Sequence, residues 1–312
     1  NRIGVERITS ETIDDFGEIA RPRGKRSQAD TGSTLKLHSQ SSIPQTVRSF
    51  WHGDFISPYQ LLCLKSFADR GHDVEVFSYD AKLAAPSWLK IRDATEILPR
   101  ELVLYPLPQP GQFAVHADLF RYALLEKLGG WWLDPGLMLL KPDLPDGEVY
   151  FAEPDVFGLI PTAILKFPPR HPVVQEARKE AEALGGAYDT WARAGSQLLT
   201  PLLTRHDPQG RLSGRESLGP ITWFDVPDLF DPLKTAELSE NCADSRFLHF
   251  HNEVWRRAGV PLWLGPPKGA YLDSLFARHQ LGLSVFNRLT FGELNRWIKH
   301  MYMAAEIGRV KA

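Results

Sequence analysis

Residues 113–140 read FAVHADLFRYALLEKLGGWWLDPGLMLL, and this stretch decides the fold class. From Phe113 to Leu128 the apolar residues recur at helical spacing, and the pattern stops at Gly129-Gly130, where a helix can end in a left-handed turn. Trp131-Trp132-Leu133 then predicts a short buried strand, Asp134-Pro135-Gly136 a tight turn, and Leu137-Met138-Leu139-Leu140 a second strand closed by Lys141-Pro142.

Working outward, the N-terminal side supplies the rest of an α/β pattern. Thr46 to Trp51 reads as a strand, and Pro58 to Ala68 as a helix with apolar Leu61, Leu62, Leu64 and Phe67. Gly71 ends that helix, and Val74 to Tyr79 alternates as a second strand. Strand, helix, strand is the opening of a mainly parallel central sheet flanked by helices. A Pro-rich connection spans Leu104 to Pro110. On the C-terminal side, His171 to Leu184 and Ala187 to Leu203 read as helices, Ser245 to Phe250 as a strand, and the tail from Tyr271 as amphipathic helix. No internal repeat interrupts this order.

The expected organisation is a polar leader over 1–43, one α/β domain over 44–270, and a helical extension over 271–312 packed on that domain. The leader is rich in charge, Ser, Thr and Gly. Its basic run, Arg21 to Arg26, is either solvated or touches acidic membrane lipids.

Composition excludes several functions. The chain has 312 residues, 43% hydrophobic and 24% charged, with a formal charge of -2. Its mean hydropathy is -0.25 and its pI about 6.6. Nothing here offers a phosphate backbone the clustered Lys and Arg it needs, so nucleic acid is not an expected partner. Cys63 and Cys242 are too few for a disulfide framework or a zinc site and are expected as buried thiols in a reducing, cytoplasmic setting. No apolar run approaches the roughly 18 residues of a membrane span, and no basic-then-apolar signal sequence opens the chain.

The chemistry is expected around residues 117–136. On a helix, Asp118 and Arg121 share a face, either as a surface ion pair or as a carboxylate and guanidinium gripping a sugar hydroxyl and a phosphate. Asp134 follows an apolar strand, where α/β sheets meet their ligands, although Asp also suits such a turn by bonding nearby backbone N–H groups. Asp143, Asp146, Glu153 and Asp155 read as loop acids. They could also stand in for a missing metal ligand, and a metal-dependent phosphoesterase or nucleotidyltransferase, the weaker reading, would need a denser set of carboxylates.

These residues carry a resemblance. Phe50-Trp51-His52-Gly53, Ser57-Pro58, Gly71-His72, Ser78-Tyr79-Asp80, Ala117 to Tyr122 and Gly129 to Asp134 are similar to the DXD-motif sugar transferases. These are retaining GT-A enzymes of the glycosyltransferase family 32, capsular-polysaccharide and α-1,4-N-acetylglucosaminyltransferase type. Leu165-Lys166, His171-Pro172, Leu198-Leu199-Thr200 and His249 to Arg256 extend the likeness to roughly 43–270.

The resemblance implies a Rossmann-like GT-A fold and transfer of a hexose or N-acetylhexosamine from a UDP- or GDP-sugar to a glycan, lipid-linked or small-molecule acceptor. Phe50, Trp51 and His52 would hold the nucleotide, with Trp51 either stacking on the base or packing in the core. Asp118 would bind sugar or ribose hydroxyls, Arg121 the sugar or diphosphate, and Asp134 would open the DXD turn. Asp134 and His249 would hold Mn2+ or Mg2+.

The departure from the family pattern is Gly136, which stands where the second Asp of the motif belongs and supplies no side-chain oxygen to a hard cation. Three consequences are open: an ion held by the remaining groups, metal-independent stabilisation of the leaving diphosphate by a cation such as Arg121, or a binding homologue without turnover. Gly158 to Ala163 and Ala194-Gly195-Ser196 also depart from the pattern, in the acceptor region.

Overall fold

A computed structural model describes residues 44–80, 82–102, 113–155, 157–185, 192–206, 218–222, 224–282 and 287–290, and five further positions up to Lys299. All of them belong to the compact unit formed by residues 42–312. The expected leader over 1–43, the Leu104 to Pro110 connection and residues 301–312 lie outside the described residues.

The chain begins with strand β1 (Thr46–Phe50), helix α1 (Pro58–Ala68), strand β2 (Asp73–Ser78) and strand β3 (Lys90–Asp93). Ser57 caps α1 by accepting from the Gln60 N–H, and Pro58 stands at the first helical position, where its missing N–H costs nothing. Helix α2 (Phe113–Leu128) leads into β4 (Gly130–Leu133) and β5 (Leu137–Leu139). Gly129 makes the corner at φ 61, and a Cβ there would lie 2.5 Å from Pro169 Cδ, so only glycine fits.

Strands β6 (Tyr150–Phe151) and β7 (Ile164–Phe167) come next, followed by helices α3 (Pro172–Ala183) and α4 (Ser196–His206). Helix α5 (Thr235–Asn241), strand β8 (Phe247–His249) and helices α6 (Asn252–Ala258) and α7 (Tyr271–Arg278) follow.

The main sheet has six strands in the order β3-β2-β1-β4-β7-β6. Strands β3, β2, β1 and β4 run parallel, while β7 is antiparallel to both β4 and β6. The chain winds from β1 outward through β2 to β3, then returns to place β4 on the other side of β1. That reversal falls at the carboxyl ends of β1 and β4, the place where open α/β sheets have their ligand crevice. A separate antiparallel pair, β5-β8, sets Leu137 opposite His249.

Alternation along β4 explains its two tryptophans. Trp132 enters the core with α2, α3 and α4, and Trp131 enters the opposite core with Phe67 and Tyr150; both are 1% exposed. A third cluster joins Met138 and Leu248 of the small sheet to Trp255 of α6 and Phe276 of α7.

The mainly parallel α/β sheet expected from the sequence is the sheet observed. Local boundaries differ. The helix expected from Ala187 begins at Ser196, after a turn closed by Gly195 N–H donating to Ala192 O at 3.1 Å, and it continues past Pro201 to His206. Residues 186–191 lie outside the described set. Strands β3, β6 and β7 went unread because each is two to four residues long and takes its form from a neighbour already in the sheet. Both cysteines are free and buried.

Candidate active site

Helix α2 and strand β4 meet at the crevice through three side chains. Arg121 donates from Nη1 to Asp118 Oδ1 on its own helix face, and from Nη2 to Asp134 Oδ1 at 2.7 Å. Its guanidinium lies over the Trp132 ring, 4.8 Å from the centroid, and Trp132 Nε1 donates to the same Asp134 oxygen at 2.9 Å. Trp132 is thus more than core: its indole N–H helps fix Asp134, a role hidden in the sequence by the strand's general apolarity.

Exposure is graded across the cluster. The Arg121 and Asp118 side chains are 4% and 7% exposed, whereas Asp134 is 32% exposed. Asp134 is therefore the group of the three that a ligand meets first. Its backbone N–H donates to Ala163 O at 2.8 Å, fixing the turn to the start of β7.

Asp118 is enclosed by the α3–α4 connection and the loop before β7. Gly195 packs so closely that a Cβ there would lie 2.7 Å from Asp118 Oδ2, and Tyr122 Oη donates to Ala194 O at 3.0 Å. Burial raises the Asp118 carboxyl to about 6, against the opposing charge of Arg121 and with reinforcement from Asp134. Burial also opposes the charge of Arg121, but Asp134 and Asp118 outweigh it and hold the guanidinium above its usual range.

The β1 side of the crevice divides the remaining expected residues. Phe50 is 6% exposed and packs on Phe120 at 4.5 Å between ring centroids, so it belongs to the core. Trp51 is half-buried and donates from Nε1 to Phe55 O at 3.1 Å, while His52 is exposed. Burial and the nearby Arg100 lower the His52 pKa, with Asp80 opposing. Behind them His116 is fully buried among Phe50, Tyr79 and Phe120, and burial lowers it to about 4.

His249 belongs to the small sheet, opposite Leu137 and 4.2 Å from the His251 ring. Burial lowers its pKa to about 4, so it stands neutral at physiological pH. The partners of the Asp134 carboxylate are Arg121 and Trp132.

The resemblance implies Mn2+ or Mg2+ at this turn, held by Asp134 and His249. A hard cation wants anionic oxygens, and Gly136 supplies none. The space beside Gly136 is filled: a Cβ there would lie 2.5 Å from Asn252 Nδ2 and 2.9 Å from Asn252 Cγ. Asp134 Oδ1 is committed to Arg121 and Trp132. Among the described residues no three His, Cys, Asp or Glu side chains form a ligand set. This donor set does not fit a divalent cation held by protein side chains.

No protein-family model matches the chain. No curated protein matches it either. Among solved structures the chain is similar to the PaToxG glycosyltransferase, at 12% identity and TM-score 0.41, over 82% of this chain and 85% of that one. It is also similar to the apo-form glycosyltransferase GlyE of Streptococcus pneumoniae TIGR4, at 15% identity and TM-score 0.41, over 82% of this chain and 64% of that one. The chain thus spans less than two thirds of the length of GlyE.

Proposed function

We propose that this chain transfers a glycosyl group, a hexose or N-acetylhexosamine, from a nucleoside diphosphate sugar to a glycan, lipid-linked or small-molecule acceptor. The observation that carries the reading is the Asp118–Arg121–Asp134 cluster, set at the reversal of strand order beside the carboxyl end of β4.

In this reading Asp134 accepts donor hydroxyls through the part of its carboxylate left open. Arg121 is a positioning residue: both its terminal nitrogens are spent on carboxylates, and its bond to Asp134 keeps that carboxylate oriented. Asp118 holds Arg121 from below. Trp51 and His52, at the end of β1, flank the place for the nucleotide. Retention of configuration, which the family resemblance implies, would proceed at the front face without an enzyme nucleophile. Stabilising the departing diphosphate is then the main demand on the site, and no step is assigned to a metal.

A second reading has its own observation: Asn252 fills the space beside Gly136, which favours a homologue that binds nucleotide sugar or glycan without turning it over. Incubation with a panel of UDP- and GDP-sugars, in Mn2+ and again in EDTA, separates the two. Release of nucleoside diphosphate that is lost in Asp134→Asn supports transfer. Donor binding without release supports the second reading, and absence of donor binding sinks both.

A further inference from the structure

The glycine at 136 is explained by space, because its φ lies outside the left-handed region where glycine alone is at ease. What occupies that space is the carboxamide of Asn252, the first residue of α6. The chain reaches it through His251, which adopts φ 48 and ψ 51, a left-handed conformation that is strained for a residue with a Cβ. This sharp turn out of β8 swings Asn252 onto the 134–136 turn. Phe250 N–H donates to Gly136 O at 2.9 Å and locks the approach.

Asn252 is half-buried as a residue, and its Oδ1 is fully buried with no hydrogen-bond partner. A buried acceptor left unpaired costs about 1–3 kcal/mol, so one that persists against Gly136, two residues along the turn from Asp134, calls for an explanation. Its surroundings set the chemistry of what completes it. His249 and His251 are both held neutral by burial, and Asn252 itself carries no charge. An amide oxygen accepts without carrying charge, so a neutral donor, a hydroxyl, completes it, while the nearby charge of Asp134 is answered by Arg121.

Resting on the glycosyl-transfer reading, we propose that Asn252 is a donor-specificity residue whose Oδ1 accepts a hydroxyl of the transferred sugar. The carboxamide has taken the place of a side chain at 136 and reads the sugar from there, beside Asp134.

Calorimetric binding of UDP-glucose, UDP-N-acetylglucosamine, GDP-mannose, UDP and GDP to the full chain tests this. The measurement compares wild type, Asn252→Ala and Asn252→Asp, each with a thermal melt, in EDTA and in Mn2+. A nucleotide sugar is expected to bind more tightly than its own diphosphate. Asn252→Ala should remove about tenfold of that difference and leave diphosphate affinity within about twofold. Asn252→Asp keeps an acceptor oxygen and should retain the difference. An unchanged sugar-over-diphosphate ratio in Asn252→Ala overturns the role of Asn252 while leaving glycosyl transfer standing. Equal weakening of sugar and diphosphate, with a lowered melt, assigns the residue to packing and overturns it too. An effect present in Mn2+ and absent in EDTA overturns it in favour of cation ligation. Nucleotide sugars that bind the wild type no more tightly than their diphosphates overturn this inference and leave glycosyl transfer standing, whereas absence of all nucleotide-sugar binding removes the underlying reading, and this inference with it.

Discussion

Arg121 Nη2 donates to Asp134 Oδ1 at 2.7 Å, joining the middle of α2 to the turn that follows β4. The bond ties α2 to the end of β4, whose Trp132 shares a core with that helix. Removing Arg121 leaves Asp118 buried without its counter-charge, so Arg121→Ala should lose about 3–5 kcal/mol in urea unfolding. Arg121→Lys should recover part of that and little donor binding, because an ammonium cannot span both carboxylates in one plane. Wild-type stability in Arg121→Ala would remove the cluster from the centre of the fold.

Asp118 gives the cluster a pH dependence. Its folded pKa of about 6 lies above the ordinary value of 3.8, so between those values the folded state binds more protons than the unfolded state. Its contribution to stability therefore rises as pH falls from about 6 toward 4, and above that window the ionised carboxylate is a cost. Subtracting the stability of Asp118→Asn from that of wild type at each pH isolates the effect. The difference should shift in favour of wild type across the window, and a flat difference would contradict the raised pKa.

Trp132→Phe keeps a ring beneath the Arg121 guanidinium and removes only the N–H that fixes Asp134. Stability should fall by about 1 kcal/mol. In steady-state assays of a transferred sugar, kcat/KM should fall about tenfold, since a loosened Asp134 misplaces the group it holds. Equal activity in the two proteins would show that Arg121 alone orients the carboxylate.

Gly136→Ala places a Cβ 2.5 Å from Asn252 Nδ2, and overpacking of this kind costs about 1–3 kcal/mol. The cost should vanish in Gly136→Ala/Asn252→Gly, giving a coupling energy of similar size in a double-mutant cycle. Additive effects would mean that the two residues do not share the space.

Gly195→Ala brings a Cβ to 2.7 Å from Asp118 Oδ2, in a loop tied to Tyr122. The carboxylate has little room to retreat, so donor affinity should fall while the melting midpoint drops by only a few degrees, consistent with about 1 kcal/mol. Unchanged donor affinity would separate Asp118 from the binding site.

Features that depend on neighbours in the chain are legible in the sequence. The bounds of α1 and α2, the glycine corner at 129–130, the strand over the two tryptophans and the shared face of Asp118 and Arg121 follow from periodicity and from residues that end helices. Which groups far apart in the chain complete one another emerges once the elements have packed. The antiparallel placement of β7 beside β4, the closing of Gly195 over Asp118, the withdrawal of Phe50 into the core and the filling of the Gly136 space by Asn252 are of this kind. No local pattern records them. A short strand takes its partner from the sheet edge it meets, and a glycine does not name the side chain that will occupy the space it leaves.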